Sequence, residues 1–194
     1  MSIFEAIVNY FNEHIDNVSG SIETLTPYLA EAANLMSHTL IQNQKILTVS
    51  SPICFSAGHQ FNTNLLSHTQ LLRPALPSIF LNHANIANAA CQSPETLFSQ
   101  QVSALGHKGD LLFLLSSSGN EQALLNCIDS ALQRQMNIIS INTGEAQEIA
   151  LNTPKDQVHI KLSSHTPMQA SNIQFLVSQL LSDLVEQQLF GGAL

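Results

Sequence analysis

Five short apolar runs, at residues 45–49, 78–81, 110–115, 137–142 and 157–162, constrain this fold more than any other feature of the chain. Each is followed by a stretch of helical periodicity. Runs apolar at nearly every position, rather than at every second one, belong to strands covered on both faces. Parallel neighbours need helical crossovers, and those crossovers supply the cover. The pattern therefore predicts an α/β fold with a doubly wound, five-stranded parallel sheet. Open sheets of this kind bind ligands beyond the carboxyl ends of their strands, where the strand order reverses, commonly between the first and third strands. Residues 50–54 and 116–121 are the loops at that place.

In the second of these loops Ser116, Ser117, Ser118, Gly119 and Asn120 close the third apolar run and open a helical pattern that extends to Gln135. A strand turning through hydroxyls and a glycine into a helix N-terminus makes an anion site, because unpaired first-turn N–H groups and the positive end of the helix dipole converge there. The next residue is Glu121, which puts a carboxylate where a ligand's charge would go. In the first loop Ser50 and Ser51 offer further hydroxyls, Ser51 is placed to cap the following helix, and Pro52 suits its first turn.

Ahead of the first strand lie two amphipathic stripes, Ile3, Phe4, Ile7, Val8, Phe11 and Ile15, then Leu25, Tyr28, Leu29, Ala32, Leu35, Met36 and Leu40, which predict two helices. One domain of residues 1–194 is expected, with residues 1–43 as a helical assembly element and 44–194 as the α/β core. A last helix over residues 168–190 ends at Gly191 and Gly192.

Acidic residues outnumber Lys and Arg 14 to 6, and the six basic residues are scattered, which argues against a direct nucleic-acid surface. Charged residues make up only 10%, against about 25% in an ordinary domain, as an assembly that buries much of its surface would explain. No apolar stretch reaches membrane-spanning length and the N-terminus lacks a basic signal region, so a cytoplasmic protein is expected. Cys54, Cys91 and Cys127 have no metal or disulfide spacing; Cys54, near a helix N-terminus, is either a reactive thiol or a small buried side chain. The histidines, His14 to His165, show no two-ligand helical spacing.

The serine loop, preceded by Gln101-Val102-Ser103-Ala104-Leu105-Gly106-His107-Lys108-Gly109-Asp110, resembles sugar isomerase (SIS) domains of the phosphoheptose isomerase branch. So do Lys45-Ile46-Leu47, Arg73-Pro74-Ala75-Leu76-Pro77 and the stretch Leu181 to Phe190, and the likeness spans nearly the whole chain. It implies a flavodoxin-like fold and a homotetramer joined through the leading helices. In the isomerases a His, Glu, Gln and His set binds metal and moves the proton; the matching positions here are Gln60, Asn64, Ser171 and Gln179. None of these titrates near neutral pH or is a strong imidazole or carboxylate ligand, so no catalytic residue, metal or cofactor is expected. His59 would fill one role only if the register shifted by one residue.

The ligand loops depart from the family as well. Its Gly-Asn-Gly-Gly/Thr-Ser loop reads Ser50-Ser51-Pro52-Ile53-Cys54, its Asn-Asp pair reads Ala90-Cys91, and its final loop serine is Glu121. The branch also contains non-catalytic proteins that associate with the replication initiator DnaA. Likeness to them places Leu189 and Phe190 at the partner-binding surface, although Phe190 also fits as a continuation of the helix's core stripe. Three readings follow: an initiator-binding protein without catalysis, a sedoheptulose 7-phosphate isomerase, or a sugar-phosphate sensor that binds through Ser116 to Asn120.

Overall fold

A computed structural model of the chain describes residues 2–67, 72–81, 93, 95–119, 121–143, 148–162 and 166–191. All five apolar runs are strands: β1 (Ile46–Ser50), β2 (Ser78–Phe80), β3 (Leu111–Ser116), β4 (Asn137–Asn142) and β5 (Val158–Lys161). They form one parallel sheet in the order β2-β1-β3-β4-β5. Every residue of β1 and β3 is buried, which is why these two read as unbroken apolar runs.

Side chains alternate across the pleat and so divide the core in two. Leu111, Phe113 and Leu115 of β3 join Ile46, Ile139 and Ile141 under α1 (Ile3–Ile41), α2 (Phe55–Leu66) and α6 (Pro167–Phe190). Leu112 and Leu114 join Leu47, Val49 and Ile138 under α3 (Leu97–Leu105), α4 (Gln122–Gln133) and α5 (Glu148–Asn152). On the first face Phe61 and Phe113 pack with ring centroids 4.6 Å apart.

The two leading stripes lie on one helix rather than two. A capping box between Ser2 and Glu5 starts α1, and Pro27 removes one N–H from its ladder without ending it. The second stripe packs on the sheet through Leu25, Leu29, Ala32, Met36 and Leu40. The first does not: Phe4 is 76% and Phe11 62% exposed. At its other end the chain behaves as expected, since α6 stops where Gly191 takes a left-handed conformation (φ 73°) and donates to Gln187 O.

At the amino ends of β1 and β3 the Asp110 carboxylate accepts from Lys45 N (3.0 Å), His107 N (2.8 Å) and Lys45 Nζ (2.5 Å). At the carboxyl ends Ser50 pairs with Leu115, and Ser51 N donates to Leu115 O (2.8 Å). The strand order reverses between β1 and β3, so the two polar loops leave the sheet side by side.

Candidate functional site

β3 ends at Ser116, which is fully buried, and the chain turns through Ser117, Ser118 and Gly119, the last at a φ of 83° that suits glycine. Asn120 lies outside the described residues. Glu121 occupies the N-cap position of α4, yet its side chain makes no bond to the first turn of that helix. It folds back into the serine loop instead. Its carboxylate accepts from Ser117 N (3.0 Å), Ser117 Oγ (3.0 Å), Ser118 N (3.2 Å), Gly119 N (3.2 Å) and Ser116 Oγ. The donors that the sequence assigns to a bound anion are thus filled by a carboxylate of the chain itself. Burial alone would raise the pKa of Glu121, but the bonds from Ser116, the backbone and Ser118 outweigh it and hold the carboxyl below its ordinary value.

Bonds that bypass Glu121 hold the loop in place. Gln174, fully buried on α6, donates Nε2 to Ser116 O (2.6 Å); Thr143 Oγ1 donates to Ser117 O (2.9 Å); Ile149 N donates to Gly119 O (3.0 Å). Neither Gln174 nor Thr143 is a residue that sequence reasoning selects. The one available signal was a polar residue, Gln174, inside the buried stripe of Ala170, Ile173, Val177 and Leu181.

In the first loop Ser51 precedes a 3-10 turn, Pro52–Cys54, but its hydroxyl does not cap that turn as expected. The turn is closed by the main chain, Cys54 N to Ser51 O (3.0 Å). Burial pushes the Cys54 thiol up to about 11, with the Ser51 hydroxyl pulling it down and the Glu121 charge adding to the rise. Of the two readings of this cysteine, the small buried side chain is correct. Between the loops lies an open cleft of about 480 Å³, bounded by Ser50, Ser51 and Pro52 on one side and Glu121, Ala123 and Leu124 on the other. Glu95 and Phe98 complete its described lining, which holds two carboxylates and no basic group.

The four positions matched to the isomerase metal set are bonded to their surroundings. Gln60 Nε2 donates to Asn64 Oδ1 (2.7 Å), Asn64 Nδ2 to Ser182 Oγ (2.9 Å), and Ser182 Oγ to Gln179 O (2.7 Å). Ser171 stands apart and donates to Ile53 O (2.8 Å). His59 projects from another side of α2, stacked on Phe55 and edge-on to Phe80. Among the described residues no group of three His, Cys, Asp or Glu side chains is placed to hold a metal ion.

Near the end of α6, Leu189 is half-buried against the core and Phe190 is 42% exposed. The Arg73 guanidinium lies 5.7 Å from the centre of the Phe190 ring and donates to Glu186 Oε2 (2.8 Å), Leu65 O (3.1 Å), Pro74 O (3.0 Å) and Asn64 O (2.7 Å). Ala90, Cys91, residues 163–165 and 192–194, and the histidines His68, His83 and His165 lie outside the described residues. No helix among the described residues is long and apolar enough to cross a membrane.

The SIS domain model matches residues 9–143. A phosphoheptose isomerase of Chromohalobacter salexigens is 30% identical over 197 residues, covering 99% of each chain. A DnaA initiator-associating protein DiaA of Salmonella paratyphi B is 29% identical over 192 residues, covering 97% of each. The solved phosphoheptose isomerase from Francisella tularensis superimposes with a TM-score of 0.90 at 26% identity, over 96% of this chain and 100% of that one. An enzyme and an initiator-associating protein are thus equally similar over the full length, and overall likeness does not choose between them. The chemistry of the site has to.

Proposed function

This chain belongs to the SIS domain family, and on that footing we propose that it is a non-catalytic member that acts through protein contacts, binding a replication initiator of the DnaA type. One observation carries the loss of catalysis. The positions matched to the isomerase metal and proton-transfer set hold two amides bonded in series to Ser182, a third amide on Gln179, whose main-chain carbonyl accepts from Ser182, and a hydroxyl tied to Ile53 O. Each positioned acid or base is worth typically 10² to 10⁴ in rate, and neither an amide nor an aliphatic hydroxyl takes that role near neutral pH.

The initiator reading is supported by the named relatives of DiaA type, similar over 97% of their length, and by the exposed Phe190 ring, an aromatic anchor of the kind that dominates protein interfaces. The bare apolar stripe on the first half of α1 and the apolar groove between α1 and α6, lined by Ile22, Leu25, Ile173 and Leu176, support assembly of several copies, a homotetramer on the family's pattern. Several copies joined would hold several initiator molecules together and raise their effective concentration. The acidic balance suits a cytoplasmic protein that touches a DNA-bound partner and avoids the DNA itself.

Two measurements test this. Purified protein is incubated with sedoheptulose 7-phosphate and added zinc; turnover above that of a denatured control sinks the loss of catalysis. Immobilised protein is exposed to purified DnaA from the same source. Saturable capture that Phe190→Ala abolishes, with the assembly state unchanged, is the expected result, and no capture by the wild type rejects the partner.

A further inference from the structure

We propose that Glu121 is an internal ligand, a tethered carboxylate seated in a fully formed phosphate cradle, and that it makes the switch-point cleft reject phosphorylated ligands. The Ser117 and Ser118 N–H groups and two hydroxyls donate to its two oxygens, and the Gly119 N–H, bonded to Ser116 Oγ at 2.7 Å, is shared with it at 3.2 Å, a donor set of the kind that holds a phosphate. Capping does not explain it, because the carboxylate makes no bond to the first turn of its own helix. The contacts of Gln174, Thr143 and Ile149 with the loop carbonyls do not pass through Glu121, so the cradle keeps its form when the carboxylate is taken away.

A second observation marks this cleft as a ligand site. Ser51, 3% exposed, lines it with a hydroxyl that has no hydrogen-bond partner beyond the weak thiol of Cys54 beside it. A buried hydroxyl left so is a group that a bound molecule would satisfy. An incoming phosphate would have to displace a carboxylate tethered three residues from the Ser118 N–H it occupies, against the advantage that any intramolecular ligand holds. The displaced charge would stay close and repel the newcomer. This inference concerns the cleft and not Phe190, so its failure and the failure of the initiator reading are seen in different experiments.

Inorganic phosphate is the probe, followed by calorimetry and by phosphorus NMR line broadening at neutral pH. Wild type is expected to show no saturable binding in the millimolar range, and Glu121→Ser to bind at least about tenfold more tightly, with Glu121→Gln in between. Glu95→Gln removes an equal charge from the same cleft without touching the cradle and should leave phosphate affinity within about twofold of wild type. Circular dichroism and melting curves establish that each variant is folded; if Glu121→Ser is not, Glu121→Gln alone carries the comparison. The proposal is overturned by folded Glu121 variants no better than wild type, by wild type binding phosphate as tightly as they do, or by Glu95→Gln gaining as much as Glu121→Ser.

Discussion

Replacing Arg73 with Met keeps most of the stem's volume and removes a guanidinium that ties three parts of the chain together. Arg73 is buried and bonds the last turn of α2 through Asn64 O and Leu65 O, the approach to β2 through Pro74 O, and α6 through Glu186. After the change Leu65 O keeps a partner in Leu76 N (2.9 Å), but the largely buried Glu186 carboxylate loses its cation. Breaking a buried pair from one side costs about 3 to 5 kcal/mol, and the 12% exposure of the Glu186 side chain places this case near the lower figure, about 3 kcal/mol. In a domain of this size each kcal/mol moves the melting temperature by about 2–4 °C, so a fall of roughly 6–12 °C is expected by circular dichroism. The double change Arg73→Met with Glu186→Leu should recover most of it, because no uncompensated charge then remains. Phe190→Ala, which removes a half-exposed ring and a cation–π contact of about 0.5–1 kcal/mol, should lower melting by only a few degrees while abolishing initiator capture. A melting fall below about 2 °C for Arg73→Met, or a double variant less stable than the single one, would refute the bridge as a stabilising tie between α2, the approach to β2 and α6.

Three further outcomes are expected. The folded-state pKa of Glu121 lies below its unfolded value, so its contribution to stability is fully present above the unfolded pKa of about 4.3 and fades as pH falls through the folded value; urea midpoints of wild type and Glu121→Gln should differ at neutral pH and converge in acid. At Gly58 an added Cβ would sit 2.7 Å from Cε2 of Phe80, a ring already packed against Phe55, so Gly58→Ala should destabilise by about 1–3 kcal/mol despite alanine's better helix propensity, as read by chemical denaturation. Phe11→Glu places a charge on the bare stripe of α1 and should reduce the solution mass found by light scattering without lowering helix content by circular dichroism.

The sheet was legible because burial on both faces leaves an unmistakable apolar run. β1 and β3 begin one residue later than the sequence reading, at Ile46 and Leu111; Lys45 and Asp110 just before them join the neighbouring strands only through their carbonyls, which accept from Leu111 N and Asn137 N, and are tied to each other by the Asp110 carboxylate. The single helix α1 was not legible. Residues 16–24 carry little apolar periodicity, Gly20 reads as a helix stop and Pro27 as a helix start, yet α1 runs through both, its packed second half carrying the first half outward. At the site, adjacency did the work: Ser116 to Gly119 and Glu121 are near in sequence, so their meeting needed only the strand-to-helix turn. Gln174 reaches Ser116 from 58 residues away, and the same helix buries other polar residues, Gln169, Ser171, Ser178 and Ser182, that the sequence does not distinguish from it. The direction of the Glu121 side chain was beyond the sequence too, since a residue before a helix can cap forward or fold backward. Donors crowded behind it decide the matter.

Those donors also account for the form a silent cleft takes. A cradle made of backbone N–H groups is a property of the turn, not of particular side chains, and no substitution removes it while β3 still runs into α4. Without a ligand, partly buried N–H groups there would go unpaired at about 1–3 kcal/mol each, whatever water did not restore. The Glu121 carboxylate satisfies the Ser117 and Ser118 N–H groups and two hydroxyls at once, shares the Gly119 N–H with Ser116 Oγ, and gains from the helix dipole as well. The same logic holds at the positions matched to the metal set, where Gln60 and Asn64 bond to one another and to Ser182 instead of facing a vacant site. On this reading loss of ligand and metal chemistry did not leave a weakened enzyme behind. The serine-loop donors and the Gln60–Asn64 pair are met from within the chain, the Ser51 hydroxyl is not, and on the proposed reading the exposed Phe190 and α1 stripe carry the function.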